Sequence, residues 1–223
     1  MQPLTDFLRR CGVREDRLGD LSALSRLHED LVEANRRLNL TRIVDEEGFW
    51  WRHVADSLSV GLVMPGLLRE PLAVADVGCG AGFPMLPLAW ANPELRITGI
   101  ESRGKKAQFV RDESERLGLA RCSVLALRAR EAARQPEHQG RYDTVLARAV
   151  GSAGDMIREC RRFLRDSPGA ALVLYKTPES VAAEADEARR EAAKFGLEIE
   201  LSDVISLPQG AGTRQFLLAR RPG

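Results

Sequence analysis

Leucines at 18, 21, 24, 27, 31 and 38 recur at helical spacing between Asp16 and Leu40, with polar residues between them. That spacing predicts an amphipathic helix with one stripe against a core. A second helical segment is expected from Asp45 to Val63, ended by Pro65-Gly66. Beyond about residue 70 the pattern changes to short apolar runs alternating with longer helical periods. Strands are predicted at 73–78, 96–101, 121–127, 142–146, 170–175, 197–204 and 214–220, and helices at 84–91, 103–117, 152–165 and 178–195. Alternation of this kind predicts an α/β fold: a mostly parallel seven-stranded sheet covered on both faces. The last two strands flank a loop holding Pro208, Gly210 and Gly212 and read as a C-terminal antiparallel hairpin. The expected organisation is an N-terminal helical extension, 1–70, packed on a core domain, 71–223.

Within the first predicted strand, Ala73-Val74-Ala75-Asp76-Val77 runs into Gly78-Cys79-Gly80-Ala81-Gly82-Phe83-Pro84. A buried strand leads to a glycine turn and the start of a helix, where unpaired N–H groups collect. A nicotinamide dinucleotide site would space its glycines G-x-G-x-x-G to hold a pyrophosphate. Here the spacing is G-x-G-x-G with an acid two residues ahead, which suits S-adenosylmethionine, a ligand without phosphate. Glu101 ends the second predicted strand about 20 residues beyond the last glycine, where an acid can accept both ribose hydroxyls. The pattern therefore points to a Rossmann-like class I methyltransferase.

Composition narrows the partners. The 223 residues carry 33 basic and 32 acidic side chains, so no global field draws in nucleic acid and any RNA contact must be a local patch. Cys11, Cys79, Cys122 and Cys160 form no C-x-x-C pair, and His28, His53 and His138 lie far apart, so no metal site is expected. The scattered cysteines and the lack of an apolar run of ~20 residues suggest a cytoplasmic protein with no membrane segment. A monomer is expected.

Three segments add a family resemblance. Asn35-Arg36-Arg37-Leu38-Asn39-Leu40-Thr41, Arg52-His53-Val54-Ala55-Asp56-Ser57-Leu58, and the glycine loop with its Pro84 and Pro87 resemble the bacterial glucose-inhibited division protein B family. Its members methylate N7 of a guanosine in 16S ribosomal RNA of the small subunit. The resemblance spans nearly the whole chain and also takes in Arg148-Ala149 and Lys176. It implies cofactor contacts at Asp76, Gly78, Cys79, Gly80, Gly82, Phe83, Glu101, Ala129, Arg130 and Arg148. It places Arg148 and Lys176 as candidate catalytic residues at strand ends. Arg36, Arg37, Arg52 and His53, with Arg42 nearby, are candidates for RNA binding. The chain departs from the family pattern at Met85, which replaces a Gly, at Arg130, where Glu is usual, and at Thr177 after Lys176; Glu131 is one residue from the missing acid.

Structural alternatives accompany these roles. Arg36 and Arg37 could form a solvated helix face, His53 a structural hydrogen-bonding group, and Trp50 and Trp51 packing anchors. Asp56 could pair with a neighbouring arginine and lock the N-terminal helices to the core. Rival functions are methyl transfer to a small molecule or protein, and a non-catalytic module that binds cofactor and docks on the ribosome. A hydride-transferring enzyme is a distant third.

Overall fold

The computed structural model describes residues 2–223. Eight strands form one sheet: β1 (Ala73–Val77), β2 (Arg96–Ile100), β3 (Cys122–Leu125), β4 (Thr144–Arg148), β5 (Ala171–Lys176), β6 (Glu198–Leu201), β7 (Ile205–Ser206) and β8 (Thr213–Arg220). Their order is β3-β2-β1-β4-β5-β8-β6, and the two-residue β7 pairs with β8 off this path. Strands β1 to β5 pair in parallel, while β8 runs antiparallel to β5, β6 and β7. The chain moves outward from β1 to β3, then returns to lay β4 on the other side of β1. This reversal opens a crevice beyond the carboxyl ends of β1 and β4, the position at which open α/β sheets hold ligands.

Alternation along the strands divides the core into two layers. Val74, Leu146, Val173, Phe216 and Leu218 face one side, where the helices Met85–Ala91 and Gly104–Arg116 and the N-terminal helices cover them. Ala75, Val145, Ala147, Leu172, Leu174 and Leu217 face the other, under the helices Ala153–Cys160 and Pro178–Ala193. Leu24, Leu27 and Leu31 of the helix Ser22–Leu38 are fully buried in the first layer, so the N-terminal segment shares its core with the sheet.

Several boundaries differ from the periodic pattern, each for a local reason. The predicted helix from Asp16 breaks at Gly19-Asp20, because the Asp20 carboxylate accepts the Ser22 N–H at 2.9 Å and restarts the helix there. From 46 to 58 the chain stays helical, but Phe49–Ala55 is wound as a π-helix. Two 3-10 turns follow, Ser59–Leu62 and Pro65–Leu68. The helix predicted at 152–165 ends at Cys160, since Leu164 pairs with Tyr142 as a β-bridge. The strand predicted at 197–204 stops at Leu201. There the Ser202 hydroxyl accepts the Phe216 N–H at 2.8 Å, and the chain bulges out to an exposed Val204 before β7 resumes the pairing. The expected hairpin is thus split, and β8 is threaded between β5 and β6.

Gly61 lies where the turn Ser59–Leu62 packs against the end of the first helix, Gln2–Cys11. A Cβ at this position would lie 2.1 Å from the Cys11 carbonyl oxygen and 2.5 Å from Leu68 Cδ1. The obstacle is backbone, so the helix must move to relieve it. Gly61→Ala is expected to destabilise the protein by about 1–3 kcal/mol, read as a lower midpoint in urea unfolding.

Candidate functional site

The glycine loop leaves β1 at the switch point. Gly78, Gly80 and Gly82 all have positive φ (74°, 57° and 91°), which side chains rarely adopt, so the alternation of glycines is a requirement of the turn. A Cβ on Gly82 would meet Leu86 Cδ1 at 2.4 Å, whereas one on Gly80 would have nothing closer than 3.8 Å. The loop is therefore packed tightly against its helix at Gly82 and open above Gly80. Val150, from the loop after β4, lies over Gly78.

Two carboxylates flank this cradle. Asp76 is completely buried; one oxygen accepts the Met85 N–H at 3.0 Å, and Oδ1 has no hydrogen-bond partner. Burial pushes its pKa up to about 7. Glu101, 8% exposed, accepts the Gly80 N–H at 3.1 Å and the Arg103 N–H at 2.8 Å, which ties the end of β2 to the glycine loop. Each of its oxygens keeps a second lone-pair direction for a ribose hydroxyl. Burial pushes the Cys79 thiol well up, and its sulfur packs beside Gly99, so it acts as a small apolar residue. An orphaned buried acceptor, an open glycine turn and a carboxylate at the neighbouring strand end fit a ligand with an ammonium group at one end and a ribose in the middle.

Beside the cradle, Arg148 ends β4 and stands at the centre of a polar cluster. Its Nη1 donates to Asp56 Oδ2 at 2.7 Å and to the Arg52 carbonyl at 3.1 Å, and its Nη2 lies 3.5 Å from His53 Nδ1. Asp56, fully buried, also receives the Nε and Nη2 of Arg214 at the start of β8. The Tyr175 hydroxyl donates to the Ser57 carbonyl at 2.9 Å. Arg148 can only donate, so His53 Nδ1 is an acceptor and its Nε2 carries the proton, directed to the Ile43 carbonyl at 3.2 Å. Burial and the Arg148 charge lower the His53 pKa to about 4, which keeps this tautomer neutral. The imidazole stacks on Phe83 with centroids 4.3 Å apart, and the Arg148 guanidinium lies 5.8 Å from the same ring.

The three motifs thus meet in one place. Asn35 Oδ1 accepts the Thr41 N–H at 2.9 Å across the left-handed residue Asn39, and Thr41 Oγ1 lies 3.3 Å from His53 Nε2. The chain of contacts continues through Phe83 of the glycine loop to Arg148, Asp56 and Arg214. Sequence reasoning proposed an arginine partner for Asp56 but missed Arg214 and Tyr175. It also missed Lys106, whose ammonium caps the Leu40 carbonyl at 2.9 Å.

The remaining candidates are more dispersed. Arg36, Arg37, Arg42 and Arg52 are exposed, whereas His53 is only 4% exposed and faces the interior cluster. Trp50 is buried as a packing anchor. Lys176 donates to the Gly151 carbonyl at 3.0 Å and to Glu184 at 2.8 Å, and Glu184 in turn accepts the Ala153 N–H. Its position is that of a strut under the loop after β4. Ala129 and Arg130 open the short helix Ala129–Ala132, in which Glu131 caps its own N-terminus by accepting the Arg128 N–H at 3.1 Å. That bond engages Glu131 locally, and the Arg130 side chain lines a groove on the outer surface. Among the described residues no group of three or more His, Cys, Asp or Glu could hold a metal ion, and no helix is long and apolar enough to cross a membrane.

Solved structures share this architecture. An S-adenosylmethionine-dependent O-methyltransferase from Thermotoga maritima superposes with a TM-score of 0.57 at 18% identity, covering 86% of this chain and 71% of its own. Fibrillarin from Aeropyrum pernix with bound S-adenosylmethionine gives 0.53 at 18% identity, covering 70% and 71%. The likeness is one of fold: a mostly parallel sheet with a crevice at its switch point, which these methyltransferases share. At the level of sequence, the rRNA small subunit methyltransferase G (GidB) family matches residues 20–209. Relatives named ribosomal RNA small subunit methyltransferase G include one from Deinococcus deserti, 37% identical over 86% of this chain and 76% of its own. Another, from Roseiflexus, is 35% identical over 93% and 86%. The chain belongs to this family.

Removing the carboxylate of Asp56 leaves two half-buried guanidinium groups without a counter-charge. Asp56→Ala is expected to cost about 3–5 kcal/mol in urea unfolding. Arg214→Ala, which leaves the Arg148 contact in place, should cost less. Equal losses from the two substitutions would show that the pairing with Arg148 adds nothing.

Proposed function

We propose that this protein transfers a methyl group from S-adenosylmethionine to N7 of a guanosine in small-subunit ribosomal RNA. The observation that carries this reading is the convergence of the three motif segments on the glycine loop at the switch point, within a chain that belongs to the rRNA small subunit methyltransferase G family.

Guanine N7 carries an in-plane lone pair, so the attack needs no base to generate the nucleophile. When bound, the cofactor supplies a methyl group on a positively charged sulfur. The work of the protein is then to hold the reacting atoms in line at roughly 3–3.5 Å. In this assignment Asp76 Oδ1 takes the cofactor ammonium, Glu101 the ribose hydroxyls, and Ala129 with the backbone of Arg130 borders the adenine. The turn Gly78–Gly82 supplies N–H groups and clearance, and Phe83 forms an apolar wall. Arg148 keeps its Nε–H, which makes no hydrogen bond among the described residues, as a donor toward guanine O6. His53, Asp56 and Lys176 are positioning residues: the first two orient Arg148, and the third braces the loop after it. Arg36, Arg37, Arg42 and Arg52 contact RNA phosphates. Residues 1–70 serve as an extension that presents these arginines, and 71–223 as the methyltransferase domain.

Incubation with radiolabelled cofactor and small subunits lacking the N7 mark tests the reaction. Label at a guanine N7 is the expected result. Cofactor binding with no transfer to subunits or to their RNA would remove the assignment.

The raised pKa of Asp76 gives a second expectation. The free protein holds a proton on Asp76 below about pH 7, and the cofactor ammonium requires the ionised form. Affinity should therefore rise from about pH 6 to 8 and level off above the transition, approaching tenfold per pH unit on the acid side. Asp76→Asn should bind weakly with a flat profile, as read by titration calorimetry. A wild-type profile equally flat would exclude the Asp76 contact.

A further inference from the structure

The chain as a whole is almost neutral, yet between Arg128 and Arg165 nine arginines stand against five acids. Part of this excess lines a groove of about 330 Å³ between the helix Ala129–Ala132 and the helix Ala153–Cys160, where five arginines (Arg130, Arg134, Arg158, Arg161 and Arg162) face the two acids Asp155 and Glu159. These charges are not equally available. Arg158 is neutralised by Asp155, by Glu191 at 3.3 Å and by Glu187 at 3.9 Å. Arg161 lies 4.1 Å above the Phe195 ring, and its Nε is buried with no hydrogen-bond partner. Arg130, Arg134 and Arg162 are exposed and make no ion pair among the described residues. Glu159, which also lines the groove and makes no ion pair among the described residues, offsets one of these three charges, and the excess that remains attracts an anionic partner.

The location of the groove selects the partner. Its upper end lies where helices begin after β3 and β4, beside the carboxyl ends that bear Glu101 and Arg148. It then runs down the sheet face opposite the N-terminal helices, past Arg161 and Arg162 toward Arg221. A polyanion whose reacting nucleotide enters the crevice between β1 and β4 would meet Arg36, Arg37, Arg42 and Arg52 on one flank and this groove on the other. Guanidinium forks pair with phosphate oxygens in two-point geometry.

We propose that the Arg130–Arg134–Arg162 groove docks the phosphodiester backbone of the substrate RNA on the flank away from the N-terminal arginines. This inference rests on the assignment of ribosomal RNA as substrate. It adds a second anchoring surface that straddles the site, so the RNA is held from both sides while the target base is presented.

The test compares the full-length wild type with the double variant Arg134→Ala/Arg162→Ala, using deproteinised small-subunit RNA and intact small subunits. Binding to each is measured across a potassium chloride series. Loss of two phosphate contacts should lower the slope of log K against log salt by about 1.4 on RNA. It should also raise KM on subunits several-fold, with kcat and cofactor affinity unchanged. Arg134→Lys/Arg162→Lys should retain most of the slope. An unchanged slope in the alanine variant overturns the proposal. So does a loss confined to intact subunits, which would assign the groove to a ribosomal protein. Unchanged cofactor affinity verifies that the variant is folded. If wild type methylates neither preparation, the catalytic assignment fails, while the slopes still decide the fate of the groove.

Discussion

The carboxylate of Asp56 is the point on which the arrangement of this protein depends. It is fully buried, and it is reached by Arg148 from the end of β4 and by Arg214 from the start of β8. Burying an ion costs several kcal/mol unless its partners restore what water supplied, and here the two arginines do so. Asp56 sits in the helical run through residues 46–58, so one side chain attaches the N-terminal segment to two strands on the same side of the switch point. A well-packed apolar trio could hold the same elements together with equal stability. It could not hold a guanidinium at the mouth of the cofactor crevice.

Positioning of Arg148 then explains why the three motifs lie so far apart in sequence. The segment from Asn35 to Thr41 supplies a left-handed turn whose Thr41 hydroxyl, with the Ile43 carbonyl just beyond it, fixes His53. His53 stacks on Phe83, so the orientation of the glycine loop and that of the arginine are set by one neutral ring. Methyl transfer to a ready-made lone pair depends on alignment to within fractions of an ångström. A cluster with few rotameric alternatives is what such a reaction needs, in place of an acid–base pair.

Much of this was legible in the linear chain. Parallel strands β1 to β5 are apolar runs with sharp ends, and the acid–glycine spacing locates the crevice because residues with side chains rarely adopt the positive φ values of that turn. The elements misjudged were those decided by single side chains. Asp20 and Ser202 each divert a backbone N–H and end a regular run that periodicity alone would extend. Arg214 could not be found from pattern, since an arginine at the start of a strand reads as a solvated end. Only the threading of β8 beside β5 brings it to Asp56. His53 admitted two readings from sequence, an RNA contact or a structural hydrogen-bonding group, and pattern could not choose between them because it is the π-helical turn that directs the ring inward.

The near-zero net charge acquires a physical meaning in this setting. A strongly basic surface would bind any RNA through counterion release, and most encounters would be unproductive. In this chain part of the fixed positive charge is held at the site, where Arg148 and Arg214 share the one carboxylate of Asp56, and part lies in the exposed arginines on the two flanks of the crevice. Affinity from such a surface is small for any segment that touches only one flank. It becomes substantial for an RNA shaped to reach both at once, so recognition is shifted from sequence to the folded form of the substrate. The rigid cluster around Arg148 then acts only after that shape has been met.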